Sequence, residues 1–270
     1  MAVEYGWKRF WCPRGGTINL SDGGFLYDPE SKYGKELSPG LVTFDCLAET
    51  SSLALLGEPG IGKSRTLKAE RGTVDTSITG AGGRCLWLDL RSFGSEDRLW
   101  KALFGAPEFG HWRAGDYVLH LFLDSLDECL LRIDNVAALI ADQLPKEPVK
   151  RLRIRIACRT APWPRILENT FLELFGEKGF AAYELAPLRR KDVRQALDRN
   201  GAPDPDAFFT RVQALDVSSL AIKPVTLDFL ISTYRRDGDL PAEQIGLYEK
   251  GCRILCDESN ESRVAASKRV

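Results

Sequence analysis

Lys63 and Ser64 stand side by side at the end of Gly57-Glu58-Pro59-Gly60-Ile61-Gly62, and the whole stretch fits G-x-x-x-x-G-K-[ST]. The pattern has a physical use. Glycines let successive backbone N–H groups curl round an oxyanion, and a helix beginning behind them aims its positive end at the bound charge. Lys63 would then reach β- and γ-phosphates, and the Ser64 hydroxyl would serve Mg²⁺. Arg65 follows directly and is grouped with the loop. The plainer alternative is a glycine-rich turn with no ligand. The apolar run Leu53-Ala54-Leu55-Leu56 before the loop and the helix-compatible Ser64–Glu70 after it favour the phosphate reading.

About sixty residues on, a second apolar run closes as Leu121-Phe122-Leu123-Asp124-Ser125-Leu126-Asp127-Glu128. A carboxylate at the end of a buried strand costs folding energy unless a cation or hydrogen bonds satisfy it. The cation expected here is the Mg²⁺ of a nucleotide, held by Asp124 with Ser64. Asp127 or Glu128 would orient a water toward the γ-phosphate. Standing alone, the same acids would read as a strand-to-helix turn with Asp as a cap.

Strands and helices that alternate must position these groups. Strands are expected at Leu53–Leu56, Arg84–Leu90, Tyr117–Leu123, Arg151–Ala157 and Phe180–Leu185, after a turn at 80–83 for the second. Helices are expected from Ser64, over Leu99–Phe104 and over Val136–Leu144, with Pro107–Gly115 as a loop. This alternation predicts an α/β fold with a mainly parallel sheet and right-handed crossovers. After Pro187 the texture becomes helical over Arg190–Asn200, Asp206–Leu215, Val225–Arg236 and Ala242–Cys256. The expected division is 1–50 as an aromatic and Gly-rich segment, 51–188 as the α/β domain, 189–256 as a helical domain and 257–270 as a polar tail or truncation point. Tyr5, Trp7, Phe10 and Trp11 in the first segment read mainly as packing, with a cap over a nucleotide base as the alternative.

Composition narrows the classes. With 270 residues, 44% apolar and 28% charged, the chain reads as globular rather than disordered. A net charge of -1 argues against nucleic acid or an anionic membrane as a general partner. The alternation of Lys150, Arg151, Arg153 and Arg155 with apolar residues is accordingly read as a solvated strand face. Trp87 and Trp100 are read as core. No apolar run is long enough to span a membrane, and Met1-Ala2-Val3-Glu4-Tyr5 lacks a secretory layout. The seven scattered cysteines read as reduced and mostly buried, which suggests the cytoplasm, and Cys252 with Cys256 lacks partners for zinc.

The loop, the Asp-Ser-Leu-Asp-Glu strand end and three further stretches together resemble the NACHT group of STAND signal-transduction ATPases. Those stretches are Ile156-Ala157-Cys158-Arg159-Thr160, Tyr183-Glu184-Leu185-Ala186-Pro187-Leu188 and Ile222-Lys223-Pro224. The resemblance covers about residues 52 to 256. It implies a P-loop NTPase with strand order 5-1-4-3-2 followed by a small helical domain. It also implies that Arg159 senses the γ-phosphate and that Pro224 contacts the nucleotide. A solvated ion pair for Arg159 and an ordinary helix-start proline for Pro224 are the plainer alternatives. The winged-helix domain and repeat sensor usual in that group have no counterpart here, so the chain is expected to be a nucleotide-binding portion or a truncated product. The function so implied is a slowly hydrolysing ATP/ADP switch that self-associates on ATP binding and answers an unidentified trigger in bacterial defence or regulation. No guanine-reading Asn/Thr-Lys-x-Asp signature is present, which favours ATP over GTP. The competing readings are an AAA+-like motor, a nucleic-acid-dependent ATPase and a non-catalytic nucleotide-binding scaffold.

Overall fold

The structure is a computed structural model that describes residues 6–78 and 84–241, with 243, 245–247 and 249. The turn expected at 80–83, most of the helix expected after 242, and Cys252 and Cys256 lie outside the described residues. Six strands form one sheet: β1 (Trp11–Pro13), β2 (Ser52–Leu56), β3 (Arg84–Asp89), β4 (Leu119–Asp124), β5 (Leu152–Ala157) and β6 (Phe180–Leu185). Their order is β1-β6-β2-β5-β4-β3, and all neighbours are parallel except β1, which runs antiparallel to β6. The five parallel strands therefore stand in the order that the family resemblance implied, 5-1-4-3-2 in their own numbering. Together with the loop at 57–64, this is the α/β fold of a P-loop NTPase.

Burial explains why these segments are strands. Every residue of β2 is buried, as a central strand covered on both faces demands. Leu121 and Leu123 of β4 enter one core while Phe122 between them enters the other. The first core is covered by α3 (Glu96–Leu103), α4 (Pro107–Ala114), α5 (Ile133–Gln143) and α6 (Arg165–Phe175). The second lies under α2 (Lys63–Ile78) and the segment carrying Phe44 and Leu47. A one-turn helix, α1 (Gly34–Leu37), belongs to the N-terminal segment.

A separate helical unit follows: α7 (Arg190–Arg199), α8 (Pro205–Ala214), α9 (Ser218–Ala221) and α10 (Pro224–Asp237). Asp204 caps α8 by accepting from the N–H groups of Asp206 and Ala207, and α10 ends at Gly238. The core of this unit includes Phe25 from the N-terminal segment, packed edge-on against Phe209 at 5.5 Å. The first fifty residues thus touch both units, through β1 and through Phe25.

Several expectations need correction. Residues 107–114 are helical, because Pro107 occupies the first turn and the buried Phe109 and Trp112 share one face. Helix α6, with Leu167 and Phe171 buried, had not been expected. Arg155 does not lie on a solvated face. It is 3% exposed, because the segment carrying Phe44, Ala48 and Thr50 covers that face of β5. Its guanidinium donates to the carbonyls of Ala48 (2.8 Å), Thr50 (2.8 Å) and Ile154 (3.0 Å). Trp100 is 39% exposed, whereas Trp87 is half-buried and stacked on Phe122. Of the described cysteines, all free thiols, Cys12 and Cys158 are buried, Cys85 and Cys129 half-buried and Cys46 exposed.

Candidate phosphate and metal site

The loop between β2 and α2 can turn as it does only because of its glycines. Gly60 has φ of 75° and Gly62 of 100°, where a side chain is strained. At Gly62 an added Cβ would also lie 3.0 Å from Arg9 Nη1 and 3.5 Å from Pro224 Cγ. The chain then enters α2 at Lys63, leaving the N–H groups of the first turn at the loop, where phosphate binds in such motifs. The Lys63 ammonium donates to Gly57 O at 2.6 Å and Glu58 O at 3.1 Å, across the loop's own mouth. Burial lowers its pKa, while Asp127 and Glu128 act in the other direction.

The end of β4 completes the site. Ser64 Oγ donates to Asp124 Oδ1 at 2.9 Å, which joins the two expected metal-binding residues directly. Asp124 is 1% exposed, and its Oδ2 is buried without a hydrogen-bond partner. Burial pushes this carboxyl's pKa up; Ser64 opposes the rise and Asp89 adds to it. A hydroxyl and a buried carboxylate with an unused oxygen form a hard-oxygen donor set that suits Mg²⁺ with phosphate and water as its other ligands. Among the described residues no cluster of three His, Cys, Asp or Glu could bind a metal without such help. Ser125, just after the acid, holds a left-handed backbone at φ 58°, a strain that occurs most at functional turns.

Around this pair stands a ring of charge. Asp127 accepts from the Arg159 backbone N–H at 2.9 Å, and its other oxygen lies 2.8 Å from Arg159 Nε. Glu128 is looser, 3.7 Å from Arg159 and 3.9 Å from Arg91. Arg91 is held by Asp89, which sits beside Asp124 in the β3–β4 register. Asp89 and Arg91 were not singled out in the sequence. The signal was there, since Asp89 is also an acid at a strand end.

Two other segments grip the loop. Arg9 donates to Ile61 O at 3.0 Å and Ala186 O at 2.8 Å, and burial pulls its pKa down to about 10. From the helical unit, Lys223 pairs with Glu58, while Pro224 and Val225 approach Gly62 and Gly60. The Glu58 side chain therefore turns toward Lys223, and Pro59 lies with Gly60 in the loop's turn. Beside the loop lies a cavity of about 310 Å³ lined by Trp7, Arg9, Gly62, Arg65, Thr66, Lys68, Ala69, Glu70 and Pro224. Arg65 and Pro224 thus meet at this cavity, whereas Ser64, Asp124, Asp127, Glu128 and Arg159 meet at the strand ends.

No protein-family model matches this chain, and no curated protein matches it either. Similar solved structures exist. The Thermotoga maritima RuvB Holliday junction branch migration motor aligns over 77% of this chain and 63% of its own, at 10% identity and TM-score 0.42. A Walker-type ATPase of Pyrococcus abyssi aligns over 83% and 74%, at 14% identity and TM-score 0.46. The Aeropyrum pernix Orc1 protein in complex with DNA aligns over 78% and 64%, at 14% identity and TM-score 0.48. The chain spans less than two thirds of the RuvB and Orc1 chains. Its class rests on its own strand order and loop, which define a P-loop NTPase. Among the described residues no helix is long and apolar enough to cross a membrane.

Proposed function

We propose that the protein binds Mg-ATP and hydrolyses it slowly, as an AAA+-like P-loop ATPase whose α/β and helical units close on the nucleotide. The observation that carries this reading is the Ser64–Asp124 hydrogen bond at the mouth of the loop, with the second Asp124 oxygen buried and unpartnered. The loop N–H groups and Lys63 would hold the phosphates. Ser64 and Asp124 would hold Mg²⁺, which supplies charge neutralisation of the phosphates when bound. Asp127, anchored on Arg159, keeps that arginine at the strand ends. Glu128 is the carboxylate free to reorient toward a water, because its two ion pairs are long.

The finer reading is a nucleotide-controlled switch of the NACHT/STAND kind rather than a continuous motor. Its support is the Arg159–Asp127 pair: an arginine already engaged by an acid must exchange partners to reach a γ-phosphate, which gives the site two arrangements. The division at 188/189 then separates the two gripping units, with Lys223 and Pro224 as the contact that nucleotide state would change.

The test is nucleotide content and solution mass of the purified protein, before and after exchange into ATP, with Lys63→Ala as control. Bound ADP on a monomer that assembles with ATP supports the switch. Rapid turnover by protein that retains no nucleotide supports the motor, and strong stimulation by DNA supports a nucleic-acid-dependent ATPase. Failure to bind any nucleotide contradicts all of them.

A further inference from the structure

The cavity beside the loop holds two side chains that phosphate chemistry does not use, Trp7 and Glu70. The Trp7 indole N–H donates to Asp192 O at 3.0 Å, which fixes the ring between the N-terminal arm and α7. An aromatic ring tethered at one edge beside a phosphate loop is suited to stack on a base. Glu70 is on α2, one turn beyond Thr66. Other polar groups lining the cavity are already committed: Arg9 donates to two backbone carbonyls and Thr66 donates to Gly62 O. Arg65 and Lys68 contribute positive charge, which does not distinguish one purine from another.

We propose that this cavity is the nucleobase compartment of the loop, with Trp7 covering one face of a purine and Glu70 reading its edge, so that these two residues set base preference. The inference rests on the nucleotide reading above and goes on to name the base-selecting residues.

The chemistry follows from what each edge offers. Adenine presents a ring-nitrogen acceptor beside its N6 amine donor, so a protonated carboxyl, which donates and accepts, pairs with both. A carboxylate only accepts, which suits the two N–H donors on guanine's Watson–Crick edge instead. Glu70 is poised between the two forms, because burial and repulsion by Asp45 raise its pKa to about 7 against the pull of Arg155. The charges around it are Asp45 from the 44–47 turn, Arg155 from β5, Arg9 from the arm, and Arg65 and Lys68 on its own helix. Selectivity for adenine should therefore be greatest below neutral pH.

The experiment is equilibrium binding of Mg-ATP, Mg-GTP and Mg-tripolyphosphate to the full chain near pH 6 and near pH 8.5. The ATP/GTP ratio cancels the titration of the phosphates themselves. The wild type should prefer ATP by about tenfold or more at the lower pH, with a ratio several-fold smaller at the higher pH. Glu70→Gln, which keeps one donor and one acceptor at the same size, should retain the preference and lose its pH dependence. Trp7→Ala should weaken ATP and GTP alike by about tenfold, with tripolyphosphate unchanged. An ATP/GTP ratio that is pH-independent in the wild type and unchanged in Glu70→Ala overturns the base assignment while leaving the phosphate site intact. Binding of none of the three probes, in the wild type as in Lys63→Ala, overturns the phosphate reading and the base assignment with it.

Discussion

At the end of β4, Asp124 is placed where an anion is costly without a counter-charge. Ser64 satisfies one oxygen, and burial raises the pKa of the carboxyl. The sign of the linkage follows. With the folded pKa above the unfolded one, stability is greatest below the unfolded value and falls as pH rises through the folded value. Asp124→Asn should therefore stabilise the nucleotide-free protein near pH 7 by about 1 kcal/mol, and the gain should disappear at low pH. Urea unfolding at the two pH values measures this. The same variant should lose Mg-dependent ATP turnover by roughly a hundredfold. A variant that is neither more stable nor less active would remove Asp124 from the metal role.

At the scale of elements, the strand–loop–helix from β2 to α2 could be read from the sequence because its spacing is dictated by local backbone geometry. The acid at the end of β4 was legible for a similar reason, since one strand and its terminal charge are contiguous. Other features depend on contacts that no local window contains. Trp11–Pro13 is a strand only because Leu185 and its neighbours pair with it. Helix α4 carries Gly110 in its middle, and its buried Phe109 and Trp112 become meaningful only against the sheet. Arg155 looked solvated because alternation does not reveal that both faces of β5 are covered, the face with Arg155 by the segment that carries Phe44 and Ala48. Its real work is to satisfy the carbonyls before β2. Arg155→Met should remove those bonds and destabilise the fold by about 2 kcal/mol, seen as a lower urea midpoint, while leaving ATP affinity near pH 6 unchanged, because Glu70, with its pKa of about 7, is mainly protonated there with or without Arg155. A large loss of ATP affinity without loss of stability would contradict that structural role.

Across the whole molecule, Arg189 joins what the sequence divided. Its side chain is 4% exposed and pairs with Asp192 at 2.7 Å, Asp28 at 3.1 Å and Glu30 at 2.9 Å. Lys8 and Lys191 also reach Glu30, which these partners hold at a pKa of about 2. The N-terminal segment is thereby fastened to the helical unit, and Arg9 on the same segment is fastened to the loop. No sequence motif announced this, because the participants are about 160 residues apart. Arg189→Met should leave the buried Asp192 carboxylate with a backbone N–H but no counter-charge, and cost about 3 kcal/mol. Urea unfolding and faster proteolysis within residues 6–50 would register it. Unaltered stability would show that the arm is held by its aromatic contacts alone.

Thermal unfolding with and without Mg-ATP bears most directly on whether the loop and Asp124 bind a metal–nucleotide. At ligand in hundredfold excess over Kd, the wild type should gain about 2.7 kcal/mol, an upward Tm shift of several degrees. Lys63→Ala should show no shift. Asp124→Asn should respond equally to ATP with and without Mg²⁺. A wild-type Tm that does not move, or a Lys63→Ala variant that shifts as the wild type does, would contradict the assignment.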